Sequence, residues 1–363
     1  MATVWVAYAP VGGGHAGAAK AVVEAAQSLG HETRLFDILE YTSRWMRETY
    51  MNAHAASMQN ATDAYGKVFS RTNKRDPVGE WIRNQFDHAM FASFEKDVDR
   101  GAPDIFVSTH HLPTLLVGRL RRKRHYLGYH AVAITDYTAH AFWAEADVDR
   151  FFVGNELVAG ELRAHGISGH RVRASGIPVR LQFSSLPAWS LPAAGEPWRV
   201  VVSGGGLGHG PVLDVVKELA ALPHVELRVL CGRSEELLHH AREVLATSAA
   251  RGEALGFQEA PWEHIGWAHV VVGKPGGLTL SETLAAGRPF VSVGAQPGQE
   301  AMNAEFLRRT GAGCVQNASS LGGWLGNAAA LAPTLRRMAE AARLVGKPHA
   351  ALDLVREAVA AVT

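Results

Sequence analysis

The sequence is poor in cysteine and nearly balanced in charge. Its two cysteines, Cys231 and Cys314, lie far apart in apolar, strand-like segments. Without a C-x-x-C spacing or a neighbouring histidine pair, they are expected to be reduced core residues rather than metal ligands. The 36 basic and 35 acidic residues give a formal net charge of +1. Because this balance provides no overall attraction for nucleic acid, we expect no nucleic-acid partner.

Long hydrophobic runs are also missing. No uninterrupted apolar stretch approaches the roughly 20 residues that a helix needs to cross a bilayer. The first residues resemble a strand rather than a basic leader followed by an apolar segment. We therefore expect a cytoplasmic protein, either free or peripheral on the inner face of the membrane. The chain does have 363 residues with a hydrophobic composition of 47%, which is sufficient for two domains that each bury a core.

Short apolar segments alternate with helical patterns in two series, which favours parallel sheets with helices on both faces. The first series is "VWVAYA", "HETRLFDI", "PDIFVST", "YHAVAIT" and "RFFVGN"; the second is "WRVVVSGGG", "VELRVLCG", "ALGF", "HVVVGKPGG", "PFVSVG" and "GCVQN". Between them, residues 184–197 are rich in proline and small residues and have no period. We predict two doubly wound α/β domains, 1–183 and 198–345, joined by a linker at 184–197. Residues 346–363 are expected to form a helix that packs back on the first domain.

Each series begins with a strand and a glycine-rich turn, and such a turn before a helix lets phosphate approach backbone N–H groups. The second turn, "SGGGLGHG" from Ser203, is our pyrophosphate candidate through Gly205 and Gly206, although a tight strand-to-helix connection also explains its glycines. The first turn, "APVGGGHAGAAKAV" from Ala9, contains G-x-G-x-x-G.

The pattern in the first turn, through Gly12, Gly14 and Gly17 with Asp37 after the next strand, admits an NAD-dependent oxidoreductase as an alternative. Against that alternative, His15 stands where the dinucleotide fingerprint needs only compact residues. A nicotinamide site also leaves the segment "GKPGGLTLSE" unexplained.

The segment from Val270 to Leu307 is the most informative of the chain. A strand is followed by a turn at Gly276 and Gly277, and Thr279 and Glu282 lie at the predicted start of a helix, beside a potential anion. The carboxylate of Glu282 is suited to accept both ribose hydroxyls of a nucleotide, whereas a first-turn acid that favours the helix dipole is the plainer interpretation. Farther along, "PGQE" presents Gln299 and Glu300, an amide and a carboxylate, to a polyhydroxylated ligand.

Six motifs in this order resemble the GT-B glycosyltransferases that include monogalactosyldiacylglycerol synthases and processive diacylglycerol glucosyltransferases, a group of the family 28 type. They are "GGGH" at Gly12, "TDY" at Thr135, "SGIPV" at Ser175, "VLCGR" at Val229, "GKPGGLTLSE" at Gly273 and "PGQE" at Pro297. The resemblance implies two Rossmann-like domains facing across a cleft, an acceptor in the first, a UDP-sugar in the second, and inverting transfer. It also adds Gly232, Arg233 and Lys274 to the donor-binding residues and places Phe257 near the base.

Within this resemblance, His15 is the candidate general base, because a histidine facing the cleft can take the proton of an acceptor hydroxyl near neutral pH. The plainer interpretation is a histidine that caps the following helix. Asp136 is the alternative base or the residue that orients His15. The predicted acceptor-binding residues are Gly13, Gly14, His111 and Tyr137. His110, beside His111, also faces the cleft by position, although a pair of histidines can equally form a polar rim.

No metal or other cofactor is expected. The sequence contains D-x-D at Asp97 and Asp99 and again at Asp147 and Asp149, a pattern that can carry a divalent ion with a diphosphate. Both occurrences were expected before or between elements, so they are interpreted as solvated surface acids. The leaving diphosphate would instead be stabilised by backbone amides and a helix dipole.

The acceptor is expected to be a lipid of the diacylglycerol type. Between Tyr41 and Gly101 lie two sets of large apolar side chains, first Trp45, Met46, Tyr50 and Met51, and then Val78, Trp81, Ile82, Phe86, Met90 and Phe94. The second set approximates an amphipathic helical stripe, and basic residues occur nearby in "GKVFSRTNKR" and "RRKRH". Basic residues next to exposed aromatics favour anionic headgroups. A stripe that simply covers the sheet, a soluble specialised-metabolite acceptor, and a nucleotide-sugar binding protein without transfer activity remain alternatives.

Overall fold

The computed structural model describes residues 1–59 and 90–363. They form two compact units. The first unit comprises Met1–Leu181, Pro297–Gln299 and His349–Thr363, and the second comprises Gln182–Gln296 and Glu300–Pro348. Each unit contains a six-stranded parallel sheet with helices packed on it, so the prediction of two Rossmann-like α/β domains is confirmed.

The strands are numbered along the chain. They are β1 Thr3–Tyr8, β2 Glu32–Asp37, β3 Ile105–Ser108, β4 Tyr129–Ala133, β5 Arg150–Val153, β6 Val172–Ala174, β7 Trp198–Ser203, β8 Val225–Leu230, β9 Arg251–Leu255, β10 Val270–Gly273, β11 Phe290–Ser292 and β12 Gly313–Val315. The first sheet has the order β2-β1-β3-β4-β5-β6 and the second β12-β11-β10-β7-β8-β9.

The α-helices of the described residues are numbered in the same way. They are α1 Gly13–Ser28, α2 Arg44–Gln59, α3 Ala92–Gly101, α4 His111–Arg122, α5 Glu156–Ala164, α6 Val212–Ala220, α7 Glu235–Ala246, α8 Pro261–Trp267, α9 Gly277–Ala285, α10 Gln299–Thr310, α11 Leu321–Gly326, α12 Ala328–Val345 and α13 Ala350–Ala360. None of these helices combines the length and the apolar character required to span a membrane.

The core of the first unit joins the two ends of the chain. Val4 and Val6 of β1 are buried beneath α1, whose inner face is nearly all alanine and valine. Leu354 and Val355 of α13 complete the same cluster. Small side chains on α1 allow the two helices to approach closely, which buries apolar area from both.

Residues 182–197, which include the predicted linker, are grouped with the second unit. Trp189 and Leu191 pack against the core of that unit, and the indole N–H of Trp189 donates to the carbonyl oxygen of His269 at 2.8 Å. Strand β6 is the element that the sequence did not predict. Its three residues, "VRA", are only partly buried and carry no apolar run.

Candidate functional site

His15 lies in the first turn of α1, not in the preceding loop. Gly12 adopts φ of 74° immediately before the helix, a left-handed conformation that favours glycine, and Gly13 and Gly14 are the first helical residues. His15 is therefore the third residue of a helix that begins at the carboxyl end of β1. This placement corrects the expectation of a histidine in a loop, and it gives the side chain a rigid support.

The ring of His15 is held in one tautomer by two threonines. Its Nδ1 lies 2.7 Å from the carbonyl oxygen of Thr109 and 2.9 Å from Oγ1 of Thr135. Because a carbonyl oxygen can only accept, Nδ1 carries the proton and Nε2 carries the lone pair. Burial lowers the pKa of His15 to about 4, although the bond to Thr109 acts in the opposite direction. At neutral pH this histidine is thus uncharged, and its free lone pair is on Nε2.

Three further histidines are connected to His15 by a series of ring contacts. The His110 ring lies 4.7 Å from that of His15 and 4.2 Å from that of His111, the first residue of α4. The His111 ring in turn lies 5.9 Å from Phe142, which stacks against His140 at 4.2 Å. The sequence indicated His15, His110 and His111 from this cluster. Thr109 and His140 were missed as site residues, although Thr109 directly follows a predicted strand.

The two remaining predicted residues of the first unit are both in the "TDY" segment after β4. Asp136 is partly exposed. Tyr137 is buried, and its ring packs so closely on Gly154 that a Cβ there would lie 3.1 Å from ring carbons. Tyr137 therefore fixes the backbone beside Asp136 through packing.

Asp37, the ribose-binding acid of the oxidoreductase alternative, has a structural role. Its Oδ1 accepts the backbone N–H of Leu39 at 3.0 Å, and Oδ2 lies 2.7 Å from Arg47 of α2. The carboxylate is buried and committed to these two partners. Together with His15 and its threonines, this arrangement removes the basis for a dinucleotide site in the first turn.

In the second unit, two glycine turns after β7 and β8 interlock. Gly232 has φ of 58°, and a Cβ there would lie 2.4 Å from the carbonyl oxygen of Gly205. The amide of Arg233 donates to the carbonyl oxygen of Gly206 at 3.1 Å, and the amide of Gly205 donates to Oγ of Ser203 at 3.2 Å. Gly232 is thus required for the close approach of two backbones, and the Gly205 N–H that we expected to face phosphate is engaged within its own loop.

Beside these turns, the guanidinium of Arg233 stacks on Phe257, 4.3 Å from the ring centroid. Phe257 follows β9 and is 39% exposed. The pair presents a flat, partly exposed surface at the carboxyl edge of the second sheet. Such a surface suits stacking with a planar ring.

The turn after β10 is fixed by an ion pair and a buried amide. Lys274 Nζ lies 2.7 Å from Oε1 of Glu300, and Oε2 of Glu300 accepts the amide of Gln296 at 3.1 Å. Nδ2 of Asn303, a fully buried residue, donates to the carbonyl oxygen of Pro275 at 2.8 Å. Lys274 and Glu300, which the sequence assigns to ligand binding, therefore bind each other in this structure. Asn303 was missed, although it lies one turn after Glu300 on α10.

Helix α9 begins directly after this turn, with Gly276 as its N-cap and Gly277 as its first residue. Its first turn contains Thr279 and no acidic residue, so the helix N-terminus is an electropositive end. Glu282 is the sixth residue and is buried. The interpretation of Glu282 as a first-turn acid is therefore wrong. Gln299 is the first residue of α10.

His209 is a further polar residue of the first turn of this unit that the sequence did not single out. Burial, and then the positive charge of Lys274, lower its pKa. A neutral imidazole at this position adds a polar group without adding charge.

Three of the D-x-D acids have partners in the structure: one binds a tyrosine, and two pair with the first two arginines of "RRKRH". Asp97 and Asp99 lie within α3, not between elements, and Asp97 accepts the hydroxyl of Tyr41 at 2.9 Å. Arg121 lies 2.8 Å from Asp149, and Arg122 lies 2.6 Å from Asp147. Arg121 and Arg122 are therefore not a free cationic patch, which corrects their assignment to anionic headgroups.

The residues that the sequence predicts to contact lipid lie only partly within the described residues. Trp45, on α2, is 69% exposed, whereas Phe94 is a fully buried core residue. Tyr50 and Met51 are partly buried against the same core. Met90 is also partly buried against this core. Val78, Trp81, Ile82 and Phe86 of the predicted stripe, and the segment "GKVFSRTNKR" beside it, lie outside the described residues.

Several known proteins are similar to this chain in sequence. The family profile described as monogalactosyldiacylglycerol (MGDG) synthase matches residues 15–179. The processive diacylglycerol beta-glucosyltransferase of Bacillus subtilis is 30% identical over 61% of this chain and 59% of its own length. Monogalactosyldiacylglycerol synthase 3 of Arabidopsis thaliana is 25% identical over 98% of this chain and 80% of its own length. The chain is a glycosyltransferase with the GT-B fold, and its sequence is similar to those of these synthases and glucosyltransferases.

A solved structure supports the fold of this glycosyltransferase. MurG of Acinetobacter baumannii superposes with a TM-score of 0.64 at 17% identity, over 98% of this chain and 100% of that one. The sequence relatives and this fold together identify an enzyme that transfers a sugar, so the oxidoreductase alternative and the binding protein without transfer activity are set aside.

Proposed function

We propose that the enzyme transfers a hexose from a UDP-sugar to a hydroxyl of a diacylglycerol-type lipid, with inversion at the anomeric carbon and without a metal ion. Two relatives bear names that describe this class of lipid product or acceptor. The observation that carries the proposal is the orientation of His15, whose Nδ1 is bound to Thr109 and Thr135. That orientation leaves Nε2 as an acceptor for a hydroxyl proton.

In the proposed reaction, the acceptor O–H gives its proton to Nε2 of His15 while its oxygen attacks the anomeric carbon. The bond from that carbon to the diphosphate oxygen breaks, and UDP leaves with the electron pair. Attack opposite the leaving group inverts the configuration. The partly exposed carboxylate of Asp136 serves to orient the acceptor or to stabilise the imidazolium; Asp136 itself is the alternative base.

The second unit would bind the donor. The N-terminus of α9 and the amides near Gly206 and Gly276 would hold the diphosphate, since oriented N–H groups stabilise developing negative charge. Glu282 would accept the ribose hydroxyls, and the stacked pair of Arg233 and Phe257 would cover the base. Gln299 and Glu300 would contact the sugar, with Lys274 holding the Glu300 carboxylate in place.

Metal independence is supported by how the D-x-D acids are used. Asp97 is bound to Tyr41, and Asp147 and Asp149 are paired with arginines. A divalent ion would have to displace these partners. The charge of the leaving diphosphate would be met by amides and a helix dipole, a role that oriented dipoles can fill.

A lipid acceptor accords with a peripheral position on the inner face of the membrane, and exposed Trp45 is the described residue that would reach the interface. A soluble specialised metabolite remains the alternative acceptor.

The decisive experiment is a screen of UDP-glucose, UDP-galactose and UDP-N-acetylglucosamine against diacylglycerol and soluble phenolic acceptors, with and without EDTA. We expect UDP release and a diacylglycerol product one hexose heavier, with EDTA leaving the rate unchanged. Product formed only on a soluble acceptor would contradict the lipid assignment. Loss of activity with EDTA and rescue by Mg²⁺ or Mn²⁺ would contradict metal independence.

A further inference from the structure

The second unit contains a pocket at the edge of its sheet opposite the proposed donor site. It has a volume of about 440 Å³ and is lined by Trp189, Trp262, Trp267, Arg199, His269 and Arg288, among others. Arg199 lies at the start of β7, His269 directly precedes β10, and Arg288 precedes β11. The donor residues follow the carboxyl ends of these strands, so roughly 13–20 Å of strand separates the two regions.

The polar lining of this pocket consists mainly of donors. The amide of Arg199 donates to Nδ1 of His269 at 2.9 Å, so Nδ1 is an acceptor and the neutral ring carries its proton on Nε2. Nη2 of Arg199 lies 3.0 Å from that same Nε2. With this tautomer, two N–H donors lie side by side without a hydrogen bond between them, and an acceptor that bonds to both would satisfy them.

Arg288 adds to the excess of donors. It is 3% exposed, and its terminal nitrogens donate to the carbonyl oxygens of Ala286, Pro187 and Gly266. Nε of Arg288 and Nε of Arg199 are buried and have no acceptor among the described residues. Burial, together with the positive charge of Arg199, lowers the pKa of Arg288 to about 10. A buried cation in this setting normally has an anionic partner.

The rest of the lining is apolar. Three tryptophans form much of the wall, and the guanidinium of Arg199 lies 5.8 Å from the ring centroid of Trp267. Glu263 is the acidic lining residue and is itself exposed. We propose that this pocket binds an oxyanion, a phosphate monoester or a carboxylate, carried on a small apolar or aromatic body. The anion would bridge Arg199, His269 and Arg288, and the body would lie against the indoles.

The test uses the full-length enzyme and two probes, inorganic phosphate and phenyl phosphate, titrated by calorimetry. Phenyl phosphate is expected to bind more tightly than inorganic phosphate, because the indoles contact its ring. Arg199→Gln should weaken phenyl phosphate binding about ten- to a hundredfold, the effect of losing a charged hydrogen-bond donor. Arg228→Gln is the matched control, since Arg228 stacks on the same Trp267 at 4.2 Å but is paired with Glu253 at 3.1 Å.

Thermal unfolding separates ligand binding from a structural role. Without added anion, Arg199→Gln should unfold at the same temperature as the wild type or higher, because it removes repulsion of Arg288. With phenyl phosphate, only the wild type and Arg228→Gln should gain stability. Equal affinity for both probes, unchanged binding in Arg199→Gln, or a Tm of Arg199→Gln lowered equally at every ligand concentration would overturn the proposal.

Discussion

Nδ1 of His15 lies 2.7 Å from the carbonyl oxygen of Thr109, a contact between residues 94 positions apart in the chain. The carbonyl cannot donate, so this contact determines which nitrogen of His15 is free to act on a substrate. Replacing the imidazole should therefore abolish proton transfer without affecting the second unit.

His15→Ala is expected to lower kcat by about 10²–10⁴-fold, the usual contribution of a general base. The affinity for UDP should stay unchanged, because Glu282, Arg233 and Phe257, which are proposed to hold the nucleoside, lie on the second unit. Single-turnover rates and calorimetric UDP titrations measure the two effects separately. Asp136→Asn is measured for comparison. If Asp136→Asn lowers kcat more than His15→Ala does, the base is Asp136.

Glu282→Ala should weaken UDP binding by about 1–3 kcal/mol, the cost of leaving polar partners without their hydrogen bonds. Glu282 is buried, so thermal unfolding of the variant must accompany the titration. Glu282→Gln keeps the shape of the side chain and distinguishes lost charge from lost packing. Unchanged UDP affinity in both variants would remove Glu282 from the donor site.

The unfolding free energy should fall as the pH falls below about 6.5. Burial lowers the pKa values of His15 and His269 to about 4 and that of His130 to about 3. In the unfolded chain these rings take up protons near pH 6.5, so between the two values the unfolded state binds more protons and is favoured. Above pH 6.5 the three rings are neutral in both the folded and the unfolded state, so they add nothing to the pH dependence of the unfolding free energy.

Each of these histidines can add up to about 1.4 kcal/mol per pH unit to the slope. Urea unfolding between pH 7.5 and 4.5 measures the sum, and His130→Leu should make the slope smaller. A constant unfolding free energy from pH 7 to 5 would contradict this assignment.

The buried ion pair between Glu95 of α3 and Arg119 of α4 should be sensitive to loss of one partner. Glu95→Ala is expected to cost about 3–5 kcal/mol of unfolding free energy, because it leaves a buried guanidinium without its carboxylate. Replacing both residues by leucine should recover most of the loss. Glu48→Ala, which removes the exposed pair with Arg44, should cost at most about 0.5 kcal/mol. If Glu95→Ala and Glu48→Ala lowered the unfolding free energy equally, the buried pair would be no more important for stability than the exposed one.

Trp45→Ser should reduce sedimentation of the enzyme with anionic liposomes, since an exposed indole is suited to the membrane interface. Leu344→Ser is the control, because Leu344 is 81% exposed but lies on α12 of the second unit. Arg121→Glu with Arg122→Glu should lower the Tm rather than release the enzyme selectively, since both arginines are ion-paired. Sedimentation that depends on the arginines and not on Trp45 would support the basic segment instead.

The sequence predicted those features that depend on local pattern. Continuous apolar runs such as "VWVAY" and "RVVVS" identified the buried strands β1 and β7, and the ordered motifs identified the glycosyltransferase. Strand β6 escaped prediction because "VRA" is a short edge strand whose pairing with β5, not its composition, defines it.

The sequence could not give the partners of the site residues. Lys274 and Glu300 are 26 residues apart, and their ion pair exists only because the turn after β10 and the start of α10 meet at one sheet edge. Likewise, Gly232 is explained by the carbonyl oxygen of Gly205, which lies on a different strand connection. The sequence alone predicts that Arg121 binds headgroups and that Asp149 is a solvated acid. The fold instead brings the two side chains together as an ion pair.

The packing of α13 against α1 has a consequence for synthesis of the enzyme. The alanine and valine face of α1 leaves the ribosome before the second unit is made, whereas Ala351, Leu354 and Val355, which cover it, leave after that unit. The first unit therefore cannot complete its core during translation of its own sheet. Its final closure waits until the whole second unit has been made, and during that interval an apolar helix face stays open to chaperones.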